Sequence, residues 1–453
     1  MEPSADILSS MSILIQGGTI VTMNPRREVI VGDVLIEGAD IKAVGRFDVP
    51  QGDSAPYLTL DATGKVVLPG LVQTHIHLCQ TLFRGFAEDM ELLDWLSRRI
   101  WPLEAAHDQN SLALSARLGI AELLRGGTTT ILDMGTSHLH DVVFQEAARA
   151  GIRYVGGKAI MDTPDTIPGL RQSTEEALAE CYRQYKRWHG AENGRLSFAY
   201  CPRFVLCNTE DGLRAVAGLA RQEHVLVHTH ASENRTETKV VRDRTGKGNV
   251  EYLHHIGLTG ENLVVAHAVW LDDGEVRVMA ETHSSVAHCP SSNLKLASGV
   301  CDTVRLRKAG VTVGLGADGA ACNNSLDGFQ ETRLAALLPR IAHGPKAMPA
   351  MRALEMATIE GARALGMETR IGSLEKGKKA DLLILDLPEM HAHPEADLYA
   401  TIVYAAHACH VQTVVVDGSP VVRDGNLLSI DARETADLAG VAFHKLLARS
   451  GVT

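Results

Sequence analysis

The chain has 453 residues, 45% hydrophobic and 22% charged, the make-up of a globular protein with enough length for one large domain and a smaller one. Its 44 Lys and Arg against 55 Asp and Glu give a formal net charge of −11 without any long basic run, which argues against a nucleic-acid or anionic-membrane surface. No apolar stretch approaches the roughly 20 residues of a membrane helix, and residues 1–10 lack the basic start and apolar centre of a signal peptide, so a cytoplasmic protein is expected.

From residue 11 to about 61 the chain reads as short β-rich segments (13–15, 19–22, 34–38, 41–45) separated by turn residues, and the same texture returns at 380–386 and 411–418. The two ends are therefore expected to pair as one composite β-sandwich domain, residues 11–68 with 376–430. Between them, in residues 69–375, strands alternate with helical stretches (111–125, 175–188, 212–221, 273–281, 326–338). Eight strand candidates, around His75 and at 128–134, 155–162, 196–204, 224–232, 263–270, 285–293 and 312–319, predict an α/β fold: a TIM-type (β/α)8 barrel with its chemistry at the C-terminal strand ends. Residues 431–453 close the chain as a C-terminal helix, predicted at the surface over 432–450.

The eight cysteines are scattered and form no Cys-x-x-Cys, so neither a disulfide framework nor a thiolate zinc site is expected. The 20 histidines carry the signal. The apolar run 66–72 reads as one buried strand interrupted at its entry by Pro69-Gly70, and His75 and His77 just beyond it project to one side because side chains alternate along a strand. Strand five ends in His228-Thr229-His230-Ala231-Ser232-Glu233, strand six holds His267, strand seven His288, and strand eight Asp318. Three imidazoles and one carboxylate form a normal ligand set for zinc or a similar divalent ion, with a position left for water.

The segments 69–77 (Pro-Gly-Leu-Val-Gln-Thr-His-Ile-His), His230-Ala231-Ser232-Glu233, Ala266-His267 and Gly316-Ala317-Asp318-Gly319 followed by Asn323-Asn324 resemble the amidohydrolase superfamily, in its branch of mononuclear-metal aminohydrolases. The likeness spans residues 13–429. Within that branch, residues 77–85, Trp101-Pro102-Leu103-Glu104 and 291–296 are most similar to deaminases of 5′-modified adenosines, the methylthioadenosine/S-adenosylhomocysteine and 5′-deoxyadenosine deaminases. The resemblance implies His75, His77, His230 and Asp318 as ligands of one divalent ion, zinc first with iron(II) or manganese(II) as alternatives. It implies Glu233 as general acid/base, His267 beside the attacking water and the substrate, and Glu104 on the ribose hydroxyls. The substrate would be a purine nucleoside or base, and the assembly a homo-oligomer, dimer or tetramer.

The implied chemistry suits these residue types. A divalent ion lowers the pKa of a water enough for attack on an amino-bearing ring carbon. Glu233 can protonate the adjacent ring nitrogen and then help the amine leave as ammonia, while Asp318 accepts the water's proton. His228 shares a face with His230, but the family spacing His-x-x-Glu selects His230. Lys158, which would suggest a carbamylated bridge between two metals, falls on the third strand, whereas two-metal relatives carry theirs on the fourth. Gly314–Gly319 matches Gly-x-Gly-x-x-Gly yet contains Asp318, against a dinucleotide site. The histidines at 391, 393, 407 and 410 read as surface or packing residues.

Gln80 and the Pro202-Arg203-Phe204 run resemble guanine deaminases, whose Arg and Phe contact the base, and Arg171 is a candidate for the 5′ substituent. Guanine or 8-oxoguanine deamination and triazine amino- or chlorohydrolysis therefore stand as alternatives within the same chemistry. A non-catalytic barrel used as a scaffold is the alternative of a different class.

Overall fold

The computed structural model describes residues 12–48, 57–392 and 396–452; the readings of residues 1–10 and of His393 lie outside them. Eight strands, Leu71–His77, Thr128–Met134, Arg153–Gly157, Leu196–Pro202, Leu226–Ala231, Leu263–His267, Ser285–His288 and Val313–Leu315, each pair in parallel with the next. Leu315 pairs back onto Gln73, which closes the barrel. Every expected strand is present, and the crossover helices have the start signals that parallel sheets require. Gln109–Arg125 is capped by Asp108 with Ser111, Thr174–Trp188 by Ser173 with Glu176, and Asp273–Glu281 by Asp272 with Glu275, each pair satisfying two otherwise unpaired backbone N–H groups.

The two ends of the chain form one sheet. Its order runs Asn426–Leu427, Ser419–Arg423, Val411–Val416, Leu382–Leu385, Val66–Pro69, Ile13–Val21, Val29–Glu37, Asp40–Gly45, with Leu58–Asp61 as a second partner of Ile13–Val21. Ile13, Ile20, Ile36, Val67, Leu382 and Val415 belong to one buried cluster, so the sheet's interior draws on both termini. Arg153, on the third barrel strand, donates to Asp381 at 2.7 and 2.9 Å and to Asp417 at 2.8 Å, tying the barrel to this sheet through a buried ion pair.

One local reading needs correction. The apolar run 66–72 is two strands: Val66–Pro69 lies antiparallel to Leu382–Leu385, and Leu71–His77 starts the barrel. Gly70 makes the change of sheet, its N–H bonded to Asp381 O at 3.0 Å and that of Leu71 to Gly127 O at 2.9 Å. A Cβ at Gly70 would sit 2.2 Å from the Thr129 side chain. Gly70→Ala is expected to destabilise the fold by ~1–3 kcal/mol through overpacking, seen as a lowered melting temperature; an unchanged transition would contradict the close approach.

The last helix, Ala432–Ser450, is less peripheral than expected. It buries Ala439, Ala442 and Leu446 in the cluster that includes Leu92, Trp95 and Leu96. Phe443 meets Phe86 with ring centroids 5.4 Å apart, and Arg449 pairs with Asp108 at 3.1 Å. The apolar spacing of this helix thus braces the segment that roofs the barrel mouth.

Candidate metal centre and active site

Proton positions in the site follow from the hydrogen bonds of each imidazole. A backbone carbonyl can only accept, so His77 Nδ1, 2.8 Å from Met134 O, carries a hydrogen and leaves Nε2 bare. The same holds for His230, whose Nδ1 is 2.7 Å from Arg203 O. His228 Nδ1 donates to Val264 O at 3.0 Å, so its Nε2 accepts from His75 Nδ1 at 2.7 Å, and His75 Nε2 is bare in turn. Burial first, and then His75 nearby, takes His77 down to about 3, and burial holds His230 well below the usual histidine range. All three are neutral imidazoles.

Three lone pairs therefore converge without a proton between them. His77 Nε2 and His230 Nε2 are 3.1 Å apart, a contact that is repulsive unless a cation lies between. Asp318 Oδ1 stands 3.3 Å from His75 Nε2 and 3.5 Å from His77 Nε2, and His75 Nε2 has no hydrogen-bond partner. His75, His77 and His230, and separately His75, His267 and Asp318, offer ligand atoms within 4.8 Å of one another. A buried cluster of bare nitrogens with one carboxylate fits a divalent cation.

Strand geometry accounts for the convergence. His75 and His77 share a face of the first strand, and Asp318–Gly319 pairs beside it, with Asp318 opposite Ile76 and Gly319 opposite His77. The approach demands glycine: a Cβ on Gly316 would lie 2.6 Å from the His75 carbonyl oxygen. That is the physical role of the glycine-rich run that sequence pattern alone could mistake for a phosphate cradle. Ser232, His267, Ala268 and Asp318 all adopt positive φ (54°, 74°, 49° and 63°), a concentration of uncommon backbone at the strand ends that bear the site.

His228 is the base on which His75 rests. Relay from Val264 O through His228 fixes the tautomer of His75 and points its Nε2 at Asp318. Loss of such a support typically costs about 10–100-fold in metal affinity, so His228→Ala should weaken metal binding by that factor in a chelator competition, with the fold retained. Wild-type affinity in that variant would contradict the relay.

His267 donates from Nδ1 to Asn293 Oδ1 at 2.9 Å, turning Nε2 toward Glu233 Oε2 at 3.4 Å and Asp318 Oδ2 at 3.8 Å. Burial pushes the Glu233 carboxyl up to about 7, against the pull of His267. Its Oε1 accepts from Ser298 Oγ at 3.5 Å. Glu233 is thus an acid that can exist in either form near neutrality.

His77, His230, Glu233, His267 and Asp318 border a cavity with Gln80, Arg203 and Phe204, under an apolar roof of Leu92, Trp95, Leu96 and Leu296. Glu104 lies behind this wall, fully buried. It accepts two bonds from Arg203, at 2.6 and 3.1 Å, and one from Gln80 at 2.9 Å. Arg171 is exposed and does not border the cavity. Lys158 is buried 3.2 Å from Glu180 Oε2 and bonded to Gln172, and it does not border the cavity. His288 is buried with Nδ1 unpartnered and belongs to neither ligand group. The supporting Ser298 and Asn293, and Glu237 on the cavity wall, went unremarked as site residues in the sequence; for Glu237 a position one helical turn past Glu233 was the available signal.

A closed barrel with residues able to hold a metal at its C-terminal strand ends defines a class, and the chain belongs to the amidohydrolase family, which it matches over residues 66–421. Among curated proteins it is 40% identical to a 5′-deoxyadenosine deaminase of Methanothermobacter thermautotrophicus, over 97% of this chain and 100% of that one. It is 39% identical to a 5-methylthioadenosine/S-adenosylhomocysteine deaminase of Symbiobacterium thermophilum, over 91% and 94% of the two chains. Among solved structures, an adenosine deaminase from Xanthomonas campestris with bound zinc superposes with a TM-score of 0.89 at 33% identity, covering 97% of this chain and 99% of that one.

Proposed function

We propose that the protein is a metal-dependent hydrolytic deaminase of adenosine-type nucleosides, with 5′-deoxyadenosine, methylthioadenosine and S-adenosylhomocysteine as its substrate class. The observation that carries this reading is the meeting of three proton-free imidazole nitrogens and Asp318 with Glu233 at the floor of one cavity. Full-length similarity to deaminases of these nucleosides supports it. His75, His77, His230 and Asp318 would hold one ion, zinc by analogy with the Xanthomonas relative. When bound, that ion supplies a water acidic enough to attack the amino-bearing ring carbon.

Glu233 delivers its proton to the ring nitrogen beside that carbon, takes up the remaining proton of the added water as the carbonyl forms and passes it to the departing amine, a cycle for which a carboxyl poised near 7 is suited; the proton that Asp318 takes from the water restores Glu233 for the next turnover. Asp318 takes the proton of the attacking water, and the fixed Nε2 of His267 orients that water between Glu233 and Asp318. Arg203, which borders the cavity with Glu104 held behind it, is assigned to the ribose diol, so that Glu104 acts on the hydroxyls through Arg203, with Gln80 and Phe204 along the base. Gln80, Arg203 and Phe204 are the residues that resemble guanine deaminases; Arg203 is tied to Glu104 by two bonds, and the nucleoside reading is supported by the full-length similarity to the nucleoside deaminases. In domain terms, residues 69–375 form the catalytic barrel, and residues 11–68 with 376–430 the supporting unit.

Ammonia release should be compared for 5′-deoxyadenosine, methylthioadenosine, S-adenosylhomocysteine, adenosine, guanine and 8-oxoguanine. The 5′-modified adenosines are expected to show kcat/KM at least about tenfold above the free bases, as the loss of one or more buried hydrogen bonds predicts. Guanine leading by that margin would replace this reading with a guanine deaminase.

A further inference from the structure

We propose that Glu237 is a further substrate-binding residue of this cavity, its carboxyl forming a hydrogen bond to a polar edge of the bound purine nucleoside; the inference rests on the functional reading above. Glu237 lies in the first turn of the helix Arg235–Thr245, one turn beyond Glu233, and borders the same cavity. It is only 2% exposed. Its Oε2 has a bond from Thr238 Oγ1 at 3.3 Å, whereas Oε1 has no partner. The neighbouring Asn249, fully buried, bears on this carboxyl without completing a well-formed hydrogen bond to it, and its amide atoms are otherwise without a partner.

A buried polar atom without a partner is costly, and native proteins retain few of them. On a residue that borders a ligand cavity, a small turn of the side chain lets such an atom take its partner from the ligand, whose ring nitrogens and hydroxyls supply both donors and acceptors. Burial first, then the nearby charge of Glu233, pushes Glu237 up to about 8, so near neutrality it is an uncharged acid able to donate as well as accept. An isolated carboxylate would be harder to hold there; a neutral carboxyl is matched to an uncharged heterocycle. Glutamine has the same shape and the same dual capacity, which makes it the conservative replacement.

The test combines kinetics with binding of the product 5′-deoxyinosine, by calorimetry on the metal-loaded protein. For Glu237→Ala, KM for 5′-deoxyadenosine and Kd for 5′-deoxyinosine are expected to rise in parallel by roughly 5- to 100-fold, the range for one buried hydrogen bond, while kcat changes less than about threefold. Glu237→Gln should restore both constants to within about threefold of wild type, a rescue that a loss of fold could not produce. Wild-type constants in Glu237→Ala would overturn the inference while leaving the deaminase reading intact. So would equal loss of melting temperature in both variants with an unchanged product Kd, the mark of a structural carboxyl. A wild-type protein that neither releases ammonia from these nucleosides nor binds 5′-deoxyinosine would overturn the deaminase reading itself, and this inference with it.

Discussion

Glu233→Gln should lower kcat by at least about a hundredfold, the usual contribution of a positioned acid/base, with metal content and melting temperature unchanged. The amide keeps the shape of the side chain and its contact with Ser298 but can no longer cycle a proton between water, ring nitrogen and amine. Burial holds the carboxyl up to about 7, so its acid form is populated below that pH and is lost above it. The wild-type rate is accordingly expected to fall on the alkaline side with an apparent pKa near this value, and the residual rate of the variant to lack that limb. A variant running within a few-fold of wild type, or keeping the same alkaline limb, would contradict the role given to Glu233.

Asp318→Asn should be more damaging still, on the order of a thousandfold or more, because several kcal/mol of charge stabilisation depend on the one anionic donor facing three neutral imidazoles. The same carboxylate stands within 3.3 to 3.8 Å of His75, His77 and His267, so its loss removes both a ligand charge and the acceptor for the water's proton. Metal content by elemental analysis should fall, and saturating metal should restore occupancy without restoring the rate. Near-wild-type turnover at saturating metal would show that Asp318 does not handle the proton.

Much of this architecture is legible in the sequence because barrels repeat simple local signals. Period-two alternation brings His75 and His77 to one face, and eight apolar segments separated by capped helices leave few topologies open. The site's finer arrangement is set by contacts between distant segments. That Gly70 divides an apolar run between two sheets depends on Thr129 and Asp381, residues 59 and 311 positions away. His228 and His230 present the same residue type on the same strand face. Their different tasks depend on which carbonyl each Nδ1 meets, Val264 O or Arg203 O. Glu104 and Arg203 each read as an independent substrate contact, and only the tertiary meeting of the helix Trp101–Ala105 with the residue just past strand four makes them one buried pair. Glu237 carries no motif at all; it borders the cavity from the first turn of the helix after strand five.

The most direct test is a titration of metal-stripped protein with zinc while ammonia release from 5′-deoxyadenosine is followed. The bare nitrogens of His75, His77 and His230 with Asp318 describe one site, so the rate should climb linearly from background and break at one equivalent of metal per chain. Glu233→Gln should take up the same single equivalent without turning over. Full activity in the stripped protein, or a break at two equivalents, would contradict the account.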